Sequence, residues 1–221
     1  MIIEDDKKMK VIQLWDKAIR IYHWSQLLLL VGLWFSAEQG YLVLHQLFAY
    51  SLAALLISRI LWGFVGSETA RFSHFLQSPL QLVQMWNKAK HGIGHRGLSG
   101  YMSLTLMLLL ALQFISGLMT TDDVMTEGPL YSAVSSDWSS FASWFHHNNF
   151  NLLLALIAVH VVAALVHGFK KDGVLGAMLH GKLQTEVQQP KVKSTGWYLL
   201  LVMVFAGIFA LWQGVSLYQQ W

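Results

Sequence analysis

The sequence predicts an all-α integral membrane protein with five membrane spans, and three features carry that expectation. Of its 221 residues, 55% are hydrophobic and only 12% charged, against roughly 25% charged in a soluble domain. The apolar residues gather into runs near the ~20-residue length a helix needs to cross a bilayer. All 15 Lys and Arg residues fall on one side of the resulting five-span arrangement, which is how membrane topology distributes basic charge.

Met1–Lys10 is charged and the first apolar run ends at FSAEQG without a small-x-small cleavage site, so no removable signal peptide is expected. Val11–Tyr22 mixes apolar and charged residues at near-helical spacing and is expected to lie along the membrane interface. Span one runs from about Ile19 to Ala37, with His23 and Trp24 near its start. Span two covers about Tyr41–Gly63, with His45 near its start and Arg59 near its end. Phe64–Arg96 is polar and basic, contains Pro79, and reads as a loop with an interfacial helix at Leu80–Lys90. Span three, about Gly97–Met119, holds no histidine; His91 and His95 stand just before it. Thr120–Trp144 is a long loop with Gly128–Pro129, and loops of that length often carry function. Span four is Phe145–Lys171. A polar connection, Lys170–Ser194 with Pro190, leads to span five at about Gly196–Leu217, and the chain ends at Trp221. The expected organisation is a cytoplasmic or interfacial segment (1–18), a transmembrane domain (19–182), and a linker with an additional transmembrane helix (183–221).

The basic residues lie before span one, around the connection between spans two and three, and after span four. The opposite side carries Glu38, Asp122, Asp123, Glu127 and Asp137 without a basic residue. The positive-inside rule then puts the N-terminus in the cytoplasm and the C-terminus outside. The net charge of +3 and pI near 9.1 follow from that topology, and no nucleic-acid partner is expected. With 0 cysteines, disulfides, thiolate-bound zinc, iron–sulfur clusters and covalent c-type haem are excluded.

Span four carries His146, His147, His160 and His167, and ionisable side chains inside a membrane mark function by default. His146 and His160 share a helix face to within about 40° and stand roughly 21 Å apart, whereas His147 points nearly opposite to His160. Given the topology, His45 comes level with His146, and His23 with His160. Facing neutral imidazoles inside a helical bundle are what a low-spin b-type haem needs, one axial nitrogen from each side of the iron. The metal-ligand candidates are therefore His23, His45, His146 and His160. His167 shares the face of His160 and is the alternative partner of His23, at the membrane boundary about 31 Å from His146. His74, His91, His95 and His180 read as interfacial side chains. Arg59 and Arg71 are cofactor-binding candidates that would pair with haem propionates, or else positive-inside markers. Glycines 32, 63, 66, 100 and 117 permit close approach of a ring or a neighbouring helix.

Four stretches, VIQLWDKAIRIYHW (11–24), RILWGFVGSETARF (59–72), GHRGLSGYMSL (94–104) and HHNNFNLLLALIAVHVVAALVH (146–167) followed by KKDGVL, resemble bacterial di-haem cytochrome b561 and the cytochrome b subunits of nickel–iron hydrogenases, over about residues 11–182. The resemblance implies a four-helix transmembrane haem-binding bundle plus a fifth transmembrane helix. It also implies two haem b groups per chain, held by spans one, two and four, and its motif histidines fall on His23, His45, His146 and His160. The fifth span departs from the shortest members and is similar to the hydrogenase-type subunits.

The expected function is electron transfer across the membrane between the quinone pool and an external redox protein such as a c-type cytochrome. Bis-histidine iron has no open coordination site, so no catalytic residue is assigned. The alternative is a superoxide:quinone oxidoreductase of the superoxide oxidase type, as the short family members suggest. A third class, a transporter or metal-ion carrier using the histidines as transient ligands, is separated from both by a visible spectrum. Membrane lipid and quinone are the expected small-molecule partners.

Overall fold

A computed structural model describes residues 9–76, 98–121, 126–170 and 173–219. The expected interfacial helix Leu80–Lys90, together with His91, His95, Asp122 and Asp123, lies outside the described residues. Seven α-helices are described: α1 Lys17–Glu38, α2 Leu42–Val65, α3 Phe72–Phe75, α4 Leu98–Gly117, α5 Ser136–Phe169, α6 Val174–His180 and α7 Thr195–Gln219. Two short strands, β1 Lys10–Gln13 and β2 Lys182–Thr185, pair antiparallel.

Among the described residues, four helices are long and apolar enough to cross a membrane: Leu42–Val65, Ser99–Gly117, Ser136–Phe169 and Thr195–Gly214. They correspond to expected spans two to five. Span one became α1, a helix of 22 residues that does not reach the same apolarity. Its uninterrupted apolar run, Leu27–Phe35, is flanked by Lys17, Arg20, His23 and Gln26 on one side and Ser36 and Glu38 on the other. What fixes α1 is packing along α2 over their whole length. Gln39 and Gly40 turn the chain between them; Gly40 sits at φ 69°, a conformation glycine adopts without strain.

The core follows from which faces bury aromatic side chains. α7 packs along α2: the Tyr198 ring lies 5.9 Å from Trp62, and Tyr50 stacks on Phe209 at 5.4 Å. α4 packs along α5. Between these two layers α2 touches α4, but α1 and α5 make no comparable run of contact.

Among the described residues, the connections bearing Lys and Arg gather at one end of the bundle, here the basic end. There Val11–Tyr22 departs from the expected interfacial helix. Lys10–Gln13 is a strand, Leu14, Trp15 and Asp16 are buried at 0%, 1% and 1% exposure, and only from Lys17 onward is the segment helical, as the start of α1. Leu14 and Trp15 donate their amides to the Gly181 carbonyl (2.8 and 3.2 Å), and Thr69 donates to the Leu14 carbonyl (2.7 Å). Asp16 caps α1: one carboxylate oxygen accepts the Ile19 amide (2.7 Å), the other the Trp62 indole N–H (2.9 Å). Losing a cap costs about 1 kcal/mol and stranding a buried donor costs roughly 1–3 kcal/mol. Asp16→Ala should therefore lower the unfolding midpoint in detergent by an amount equivalent to about 2–4 kcal/mol. Asp16→Asn, which keeps one acceptor oxygen, should lose less.

The same end is closed by Glu68, whose carboxylate accepts the Lys191 amide (2.9 Å) and lies 3.9 Å from His74. The Lys191 amide holds the Glu68 carboxyl below the usual carboxylate range. Its contribution is thus present through neutral pH and is lost as the pH falls through that range.

Candidate functional site

Two imidazole pairs span the gap between the layers. Toward the acidic end, the ring centroids of His45 on α2 and His146 on α5 are 6.4 Å apart, with planes at 72°. Toward the basic end, those of His23 on α1 and His160 on α5 are also 6.4 Å apart, with planes at 53°. These are the pairs expected from sequence spacing. His146 and His160 are separated by about 21 Å along α5. The same separation holds on the facing side, because Ser36 of α1 lies beside His45, and His23 precedes it by about 20 Å of helix.

The acidic-end pair is locked by the ends of two helices. His45 Nδ1 meets the Leu33 carbonyl at 2.9 Å and His146 Nδ1 meets the Gln113 carbonyl at 3.0 Å. A carbonyl only accepts, so each Nδ1 carries the ring proton and each Nε2 keeps its lone pair, the arrangement a metal-binding histidine needs. A serine stands beside each contact: Ser36 Oγ is 3.4 Å from His45 Nδ1 and Ser116 Oγ is 3.3 Å from His146 Nδ1. Gln113 also donates to the His146 carbonyl (2.9 Å) and accepts from Asn149 (2.7 Å). Gly117 completes the seat, since a Cβ there would lie 2.9 Å from His146 Cε1. Gly117→Val should therefore rotate the His146 ring and shift or broaden any spectroscopic signal that depends on it, while Gly207→Val on α7, where a Cβ meets nothing within 4 Å, should not.

The basic-end pair is dressed differently. Among the described residues, no hydrogen-bond partner meets the buried His23 Nδ1, and the Trp24 ring lies edge-on at 5.2 Å. The same holds for four buried donors at this end: the Tyr22 hydroxyl, Arg20 Nε, Arg59 Nη1 and Arg71 Nε. Arg59 is 5% exposed and stacks over Phe72 at 5.5 Å.

A b-type haem fits this set. Bonds of about 2 Å from imidazole to a metal on either side, with the rings' own half-widths, put facing centroids roughly 6 Å apart. The layers are separated where the pairs meet, and the buried Arg59, whose Nη1 meets no acceptor among the described residues, suits a propionate carboxylate. Among the described residues no three His, Asp or Glu side chains cluster as a metal site, so the bundle offers facing pairs and not an ion cage.

His147 is exposed and bonded to the Ser143 carbonyl (2.8 Å). His167 is exposed near the end of α5, and the ring facing His23 is that of His160. Leu33, Ser36, Gln113 and Ser116 escaped the sequence reading. Two of them act through main-chain carbonyls, which leave no residue-type signal; the matching signal was a serine in the last turn of each helix, LWFS (33–36) and QFIS (113–116).

Compared with known families, residues 14–181 match the one described as prokaryotic cytochrome b561. No curated protein and no solved structure matches the chain.

Proposed function

The chain belongs to the prokaryotic cytochrome b561 family, and from that premise we propose that it binds two b haems and carries electrons across a bacterial inner membrane, between quinone and a redox protein outside. The observation that supports the reading is the pair of imidazole pairs, each with centroids 6.4 Å apart, set at two depths of one bundle. His23 and His160 would hold the inner group, and His45 and His146 the outer one. When bound, haem supplies reversible one-electron chemistry at a site with no free coordination position.

The chain's own residues do the rest. α1 crosses alongside α2 although it is the least apolar long helix, because its polar side chains face the bundle and its own ends. Arg59 and Arg71 would pair with the propionates of the inner group and neutralise carboxylates that are costly to bury. The basic end faces the cytoplasm and the acidic end the outside.

Mixing the purified, oxidised protein with a quinol tests the function. Reduction of both haems, followed by reoxidation by an external cytochrome, is the result expected. Failure of quinol to reduce either haem, with superoxide reducing both rapidly and quinone reoxidising them, would transfer the assignment to superoxide:quinone oxidoreduction.

A further inference from the structure

Resting on the reading of the four histidines as axial ligands, we propose that Ser36 and Ser116 are positioning residues that hold the outer iron at a lower redox potential than the inner one.

The two pairs have the same ring spacing but different surroundings. At the acidic end each serine donates its one hydroxyl proton to the carbonyl that the histidine also uses: Ser36 to Leu33 at 3.1 Å and Ser116 to Gln113 at 3.0 Å. With its proton committed there, the hydroxyl turns a lone pair toward the ring. Each Nδ1–H therefore faces two acceptors, a carbonyl at 2.9 or 3.0 Å and a hydroxyl oxygen at 3.4 or 3.3 Å. Both rings of the pair are treated alike, from α1 on one side and α4 on the other. Hydrogen bonding of the distal ring N–H raises the basicity of a ligating imidazole, and a stronger donor favours the oxidised metal.

At the basic end this support is missing from His23, whose buried Nδ1 has no acceptor among the described residues. Positive charge stands there instead. Arg59 follows His45 by about 21 Å of helix, which brings its buried guanidinium to the level of His23. A nearby buried cation favours the reduced, more negative state. The ligand effect lowers the outer potential and the charge effect raises the inner one, so the two act in the same sense.

Spectroelectrochemical titration of the purified protein reads this directly. Two midpoints are expected, and His45→Ala should abolish the lower one. Replacing both Ser36 and Ser116 with alanine should raise the lower midpoint and leave the higher one in place. The expected size is about a tenfold change in the reduced-to-oxidised ratio at fixed potential, the scale of outer-shell effects, which equals 59 mV for a one-electron couple. Threonine at both positions keeps the hydroxyls and should restore the original value. The single variants give the same sign if the double variant does not fold. The inference is overturned if the lower midpoint survives His45→Ala, if neither midpoint moves in the serine variants, if both move together, or if the variants only lose haem while the remainder titrates unchanged. A protein with no haem would defeat the ligand assignment itself, which the starting spectrum distinguishes.

Discussion

Alanine at His45 or at His146 should remove one haem per chain and leave the other spectrally intact, and alanine at His23 or at His160 should remove the complementary one. The expectation follows from the two rings of each pair meeting only each other across the gap, with centroids at 6.4 Å in both cases, while the pairs are separated by about 21 Å of α5. Removing one imidazole strips a metal–ligand bond from one level without touching the other. Electron transfer across the membrane should fall to background in all four variants, because either missing step interrupts the path. Haem content by difference spectroscopy and the low-spin electron paramagnetic resonance signals of each variant check it. If His160→Ala kept both haems and His167→Ala lost one, the inner ligand would be His167.

Raising the salt concentration should slow electron exchange with a basic soluble cytochrome by about tenfold or more. The cause lies in the loop between α4 and α5. It carries Asp122, Asp123 and Glu127 and no Lys or Arg, and Asp137 follows in the first turn of α5. The described part folds back on the end of α4: Gly128 donates to the Thr120 carbonyl and Leu130 to the Leu118 carbonyl, both at 2.8 Å. That end of α4 supplies Ser116 and Gly117 to the seat of His146, so the described part of the loop joins directly to the His45–His146 pair. Fields of one sign steer diffusional encounter and raise on-rates by roughly 10–10³. Screening should remove the effect as the Debye length shrinks from about 10 Å at 0.1 M to about 3 Å at 1 M. Changing Asp122, Asp123 and Glu127 to Asn or Gln should reproduce the high-salt rate at low salt without altering the haem spectrum. Unchanged second-order rates in that variant would leave the acidic loop as a by-product of topology.

Four of the five expected spans were legible because apolar runs leave a direct trace in composition. The remaining one, span one, was read from the apolar run Leu27–Phe35; it became α1, whose first turns are polar and which packs on α2. The β1–β2 pairing joins Lys10–Gln13 to Lys182–Thr185, and four-residue strands so far apart in sequence carry no periodicity that links them. Asp16 read as part of an amphipathic stretch, because its role depends on Trp62, 46 residues away. The facing histidines were legible for a different reason. Helical geometry and charge topology fix face and depth independently, and His23, His45, His146 and His160 satisfy both. What surrounds them was not legible, since Leu33 and Gln113 act through backbone oxygens.

The most direct test is the haem content of the purified chain by the pyridine haemochrome assay. Two non-covalent b haems per polypeptide, extractable into acidic organic solvent, is the result expected from two imidazole pairs in a chain without cysteine. One haem per chain, or none, would contradict it.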